Sequence, residues 1–396
     1  MRMIPDPRCT RKKKHDYAEL LVCLIAAYCT GRTSLRRALR WCEKNIELLR
    51  QGLALEGGIA SPATASRMLG AIDEEDFCNA FMQWMTEILR TRGVHIIIDG
   101  KALRGATERI KDKNTPYILN AVEAATNLVV CQLAITEKEN EAAAIPKLLE
   151  MLSMKDSVVT IDAIGTTTDI IRKITEKGAH YLLTVKLNQP TTYHEIMQYF
   201  TEHTITEENH YSTKEKNRER MEYRDIKCSQ CVEWISLSDR FPNLKQFAVV
   251  EQVRIRREKD NAGNDITPDK ETYLKSGTIR RPKVTVGDQL TDDVYRIGLV
   301  TDQELSPREM LEVKRNHWKI ENGLHHVLDD TLREDRSPAR KSKNNLSLLR
   351  KIVFNILQIA RIQENYPYGF PEIMDDFADD ANKIKHYILQ GIQSFY

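Results

Sequence analysis

Between residues 94 and 200, short apolar runs alternate with amphipathic stretches, and this alternation restricts the fold more than any other feature of the chain. Val94-His95-Ile96-Ile97-Ile98 is a compact strand ending at Asp99. Residues 117–125 and 128–135 read as two more strands, turned back at Thr126-Asn127. A helix is expected over 142–152 and a strand over 157–161, ending at Asp162. A helix over 167–177 is closed by Gly178, and a strand over 180–185 precedes a helix over 191–200. The order β-β-β-α-β-α-β-α calls for an α/β fold, a mixed sheet covered by helices.

The flanks have a different texture. From Tyr17 to about Arg92 the chain reads as helical. Ser34 is a candidate N-cap, followed by Leu35, Leu39 and Cys42 on one face and Arg36, Arg37 and Arg40 on the others. Ser61-Pro62 reads as an N-cap with proline at the first helical position, and Asp73 or Asp76 starts a further helix. Several short helices, one of them basic, suit a DNA-binding head and equally a helical packing module. Residues 203–300 carry apolar runs around 246–253, 271–274 and 295–300 between charged loops, which suggests a β-rich insertion. Pro307 opens a long helix to about Leu328, and another follows over 344–363. The expected organisation is an N-terminal helical domain over 1–92 and a core over 93–202. The insertion fills 203–300. The core resumes over 301–363 with a second basic helix, and an acidic C-terminal tail covers 364–396.

The net charge is only +2, yet it is unevenly spread. Residues 1–50 carry 12 Lys/Arg against 5 Asp/Glu, and residues 333–363 carry 8 against 2. Such blocks either meet a polyanion or form solvated helix faces. The sequence lacks an apolar run of membrane-spanning length, and its first residues lack the apolar core of a secretory leader. A cytoplasmic protein with no membrane partner is expected, its eight cysteines being reduced thiols.

Three carboxylates carry the chemistry. Asp99 and Asp162 close apolar strands, and Glu321 lies in the helix His317-Trp318-Lys319-Ile320-Glu321-Asn322. Carboxylates at strand ends of an open sheet sit where ligands bind, and oxygen donors there hold hard cations. Two such ions can clamp the attacking and leaving oxygens of a phosphoryl transfer. His317 and His325 stand four residues either side of Glu321, so an α-helix would place all three on one face. The plainer alternatives are a surface glutamate and aspartates that cap turns.

Four ordered blocks then carry a resemblance. Asp99-Gly100-Lys101-Ala102-Leu103-Arg104-Gly105 and Thr160-Ile161-Asp162-Ala163 come first. Lys186-Leu187-Asn188-Gln189 and His317 to His325, continuing to Leu332-Arg333-Glu334-Asp335, come after them. Together they resemble the H-repeat-associated branch of the DDE transposases of bacterial insertion sequences. The resemblance implies an RNase H-like mixed-sheet catalytic core with a β-rich insertion and an N-terminal helical domain. It implies that Asp99, Asp162 and Glu321 are catalytic and hold two Mg²⁺ or Mn²⁺ ions. Transposon-end and target DNA would be the partners, with at least a homodimer to bring two ends together. Lys101, Arg104, Lys186, Asn188, Gln189, Arg220, Arg224, His317, Trp318, Asn322 and His325 are the expected DNA contacts. His326, Asp330 and Ile297-Gly298-Leu299 depart from the family pattern, as do Arg218-Glu219. These departures keep open a DNA-binding protein that has lost catalysis.

Two metal-like signals are set aside. Cys228-Ser229-Gln230-Cys231 has no second pair, whereas a structural zinc site takes four ligands. His-x₃-Glu-x₃-His is not the zinc-protease spacing.

Overall fold

The computed structural model describes residues 1, 3–8, 13–89, 92–103, 117–135, 141–217, 219–258, 260, 262, 265–275, 294–336 and 342–391. The backbone forms two compact units, Met1–Ser153 with Trp318–Tyr396, and Met154–His317.

The first unit opens with five helices: α1 (Tyr17–Cys29), α2 (Leu35–Lys44), α3 (Ile46–Leu49), α4 (Pro62–Ala71) and α5 (Glu74–Ile88). Asp16, Ser61 and Asp73 cap α1, α4 and α5 by accepting from amides of the first turn, which has no intrahelical partner for them. Strands β1 (His95–Ala102), β2 (Tyr117–Glu123) and β3 (Val129–Ile135) form an antiparallel meander with Asp99 opposite Asn120. Asn127, at φ +59°, makes the β2–β3 turn in a left-handed conformation that asparagine tolerates. Helix α6 (Glu141–Met151) packs on β2 and β3.

The second unit holds β4 (Val158–Ile161), α7 (Thr168–Glu176), β5 (His180–Val185), α8 (Pro190–Glu202), β6 (His210–Asn217), β7 (Arg220–Ser229), β8 (Gln246–Arg256), α9 (Lys270–Lys275), β9 (Val294–Thr301) and most of α10 (Pro307–Ile320). β4 and β5 are parallel, joined through α7, and the remaining pairs are antiparallel. Their order is β4-β5-β9-β8-β7-β6. The insertion is β-rich as expected, but it continues the sheet, because its last strand pairs with β5. Residues 271–274 lie in a helix rather than a strand. α8 lies against β9, where a Cβ on Gly298 would fall 2.9 Å from Ile196 Cδ1 and 3.3 Å from Val185 Cβ.

The chain then returns to the first unit. The long helix expected to reach Leu328 is α-helical only to Ile320, and two π-helical turns succeed it, Glu321–His325 and Val327–Thr331. Helix α11 (Lys343–Gln363) has 21 residues, of which 16 are buried, so it is a core helix and not a one-sided surface helix. It packs on α1, α5 and β3. Asn355 pins it to β3, accepting from Val129 N at 3.0 Å and donating to Val129 O at 2.8 Å. The basic block over 333–363 is therefore partly internal, with Arg350 and Lys351 buried. Helices α12 (Phe370–Asp379) and α13 (Ala381–Ile384) fold onto the same core, Phe370 stacking on Phe354 at 5.0 Å. The expected acidic tail is thus a folded segment. Phe370, Ile373, Met374 and Phe377 recur at helical spacing and are buried.

Candidate active site

Asp99 lies inside β1 and not at its end, since the strand continues to Ala102. A Cβ on Gly100 would fall 2.2 Å from the Tyr117 ring, so glycine there lets the ring cross the strand. The side chain of Lys101 is 7% exposed, and its Nζ lies 2.5 Å from Asp329 Oδ1 and 2.6 Å from Glu334 Oε2. Glu334 also accepts from Ser347 Oγ at 2.6 Å. Lys351 Nζ donates to Ser347 Oγ at 2.7 Å and to Gln132 Oε1 at 2.8 Å. Burial alone would raise the Glu334 pKa, but Lys351, Lys101 and Arg350 outweigh it and hold the group at about 2. Burial lowers Lys351 to about 8 against the pull of Glu334. This network employs Lys101 internally, where a phosphate contact was expected.

His325 Nδ1 stands 3.6 Å from Asp99 Oδ2. Burial, then Lys101 and Lys351, push the imidazole down to about 4, so it is neutral near pH 7. Among the described residues, its buried Nε2 has no hydrogen-bond partner.

Glu321 is exposed, whereas His317 is buried and His325 nearly so. At Glu321 the backbone bonding changes to i→i+5, His326 N–H reaching Glu321 O. His317 Nδ1 lies 3.0 Å from Thr160 Oγ1, on the strand that leads to Asp162.

Asp162 comes directly after β4, as expected. Its carboxylate is 47% exposed, with Lys186 Nζ 3.1 Å from Oδ1. Burial would raise its pKa, but the charges of Lys186 and Lys314 and the Ala163 amide bring it below the ordinary value. Asn188 Nδ2 donates to Ala163 O at 2.9 Å, and Gln189 Nε2 to Thr166 O at 2.5 Å. Lys314 is itself buried, donating to Thr184 Oγ1 at 2.8 Å.

The other expected contacts differ in access. Arg220, Asn188 and Asn322 are exposed, and Trp318 is half-buried. Arg224 is buried between Glu222 and Glu215, and Arg315 on α10 meets Glu215 at 2.7 Å. Arg104 lies outside the described residues. Cys228 is a buried free thiol, and Cys231 Sγ donates to Glu233 Oε1 at 3.0 Å. Sequence reading missed Asp329, Glu215, Arg315 and Lys351. Only Glu334 left a trace, within the block just after the glutamate helix.

A family model described as "Transposase DDE domain" matches residues 90–356, and one described as "DDE_Tnp_1-associated" matches 1–85. The chain belongs to the DDE transposase family. As a member of that family it is 28% identical to "H repeat-associated putative transposase YhhI" of Escherichia coli (strain K12) over 388 residues, covering 96% of this chain and 94% of the relative. It is also 28% identical to "Putative transposase YncI" of Escherichia coli O157:H7, covering 90% of this chain and 85% of the relative. A solved synaptic complex of piggyBac transposase with hairpin DNA overlaps 96% of this chain and 75% of its own, with TM-score 0.40 and 8% identity. Among the described residues, no helix is long and apolar enough to cross a membrane.

DDE transposase domains imply a divalent metal. Among the described residues, no three His, Cys, Asp or Glu side chains stand together as a ready-made metal site. The donor chemistry nevertheless fits a hard cation: Asp162 is an ionised, half-exposed carboxylate that already attracts ammonium groups, and Glu321 is open to solvent.

Proposed function

We propose that this transposase cleaves DNA at transposon ends and joins the freed 3′-hydroxyl to target DNA, using Asp99, Asp162 and Glu321. The observation that carries the reading is the family match over 90–356, which spans all three acids. The state of Asp162 supports it, since an oxygen ligand must be ionised and reachable. Two Mg²⁺ or Mn²⁺ ions held by these carboxylates would activate the attacking oxygen and stabilise the leaving one.

The chain's own residues would do the rest. The three carboxylates hold charge and need not move protons. Arg220 and Asn322 are exposed and free to approach phosphates, which position DNA without reading its sequence. Arg36, Arg37 and Arg40 line the exposed side of α2 and would serve as an end-binding face. Two copies would bring two ends together, and a soluble cytoplasmic setting suits this work.

The test is cleavage and strand transfer in vitro on duplexes carrying the flanking terminal repeats, with Mg²⁺ or Mn²⁺. Wild type should give joined product, and Asp99→Asn, Asp162→Asn and Glu321→Gln should bind the ends but give none. Equal product from wild type and Asp162→Asn would sink the assignment. End binding by wild type without any product would leave a DNA-binding protein that has lost catalysis.

A further inference from the structure

The turn after β5 is fastened to the turn after β4 by consecutive side chains. β4 and β5 are parallel neighbours, so their C-terminal ends open on the same edge of this unit. Asp162 leaves β4 and enters a tight turn, in which Gly165 N donates to Asp162 O at 2.8 Å and Thr166 N to Ala163 O at 3.1 Å. The turn from Lys186 to Gln189 leaves β5 and closes on itself, Gln189 N donating to Lys186 O at 2.8 Å. From it Asn188 donates to Ala163 O and Gln189 to Thr166 O. Thr166 Oγ1 adds a third tie, donating to Thr184 O at 2.8 Å on β5 itself. Both ends of the segment after Asp162 are thereby tied to the neighbouring strand and its turn.

We propose that Asn188 and Gln189 are positioning residues for Asp162, acting through the Ala163–Thr166 turn, and are not themselves DNA contacts. This rests on the reading of Asp162 as a metal-holding carboxylate. The physical reason is preorganisation. A short turn held only by its own backbone samples several conformations, and each would carry the Asp162 carboxylate elsewhere. Metal-site carboxylates need placement to about 0.5 Å, and supporting hydrogen bonds commonly supply it. The acceptors are backbone carbonyls, so only a donor at 188 and 189 can make these ties. An amide qualifies, whereas an ionised carboxylate would face a carbonyl with no proton to give. The spacing Lys186-x-Asn188-Gln189 therefore matches one function. Lysine meets the carboxylate itself, and the two amides hold the chain that carries it.

The experiment uses the full chain and Mn²⁺ as the probe. Mn²⁺ binding is measured by paramagnetic resonance for wild type, Asp162→Asn and the double variant Asn188→Ala with Gln189→Ala. Binding to end-repeat duplex is measured at several salt concentrations. Asp162→Asn should abolish part or all of the Mn²⁺ signal. The double variant should weaken Mn²⁺ binding by about tenfold to a hundredfold. Its cleavage should recover at raised Mn²⁺, and its DNA affinity and salt dependence should match wild type. Wild-type Mn²⁺ affinity in the double variant would overturn the proposal, as would a reduced salt slope, which marks lost phosphate contacts. If Asp162→Asn binds Mn²⁺ like wild type, the reading of Asp162 fails first and the positioning role falls with it. Should the double variant melt early, Gln189→Met keeps the length, removes the donor without adding charge, and must still weaken Mn²⁺ binding.

Discussion

Lys101 Nζ lies 2.6 Å from Glu334 Oε2, and both side chains are buried. Removing either partner alone leaves the other charged and desolvated, which costs about 3–5 kcal/mol for a buried pair. Lys101→Met and Glu334→Gln should each lower the urea midpoint strongly. The double variant should lose clearly less than the sum of the two. End-repeat binding by folded Lys101→Met should keep its salt slope. A slope reduced by about one would return Lys101 to the phosphate contacts.

The same carboxylate sets an acid limit on stability. Glu334 titrates at about 2 in the folded chain, below its ordinary 4.5. Between these values the unfolded chain binds more protons, so stability rises with pH and is lost as pH falls through that window. Lys351, held at about 8 against an ordinary 10.5, obeys the same sign in its own window, so stability also rises from about 8 toward 10.5. Urea midpoints at about pH 3 and about pH 6 should differ less in Glu334→Gln than in wild type. An unchanged difference would discount Glu334.

Gly100 tests the crossing of Tyr117. A Cβ there meets Tyr117 Cε1 at 2.2 Å and its hydroxyl at 2.5 Å. Gly100→Ala must displace the ring and break its 3.0 Å bond to Glu141, at a cost of about 1–3 kcal/mol. Thermal melting checks the cost. Adding Tyr117→Ala to Gly100→Ala should then be tolerated better than additivity predicts.

Lys186 Nζ lies 3.1 Å from Asp162 Oδ1, so on the proposed reading of Asp162 it would compete with a divalent cation for that carboxylate. Lys186→Met removes a competing charge, so Mn²⁺ affinity should rise several-fold. A fall in affinity, read by the same resonance titration, would show that the lysine supports the site instead.

Much of this was legible in the sequence where one physical signal dominated. Strands β1 to β5 and helices α6 to α8 follow from period and turn chemistry, and Asp162 stands at its strand end as read. β6 and β7 were not visible as strands. Lys214, Lys216, Arg220, Glu222 and Arg224 give them a charged texture, and what makes them strands is backbone pairing along the sheet. The π-helical turns after Ile320 have no local signature, so an uninterrupted α-helix to about Leu328 was expected there. Lys101, Arg224 and Lys351 read as surface cations because their partners, Glu334 and Glu215 among them, stand far away in the chain or belong to another strand.

The place of β9 has a consequence for how the chain is made. β5 is complete at Val185, but its neighbour on one side begins only at Val294. During synthesis β5 keeps an unpaired row of amides and carbonyls while residues 186–293 emerge, and β6, β7 and β8 can pair with one another in the meantime. A nascent chain of this design has two half-built sheet edges waiting for one late strand. Its assembly should slow at that closure, and stalling before residue 294 should make it prone to aggregate.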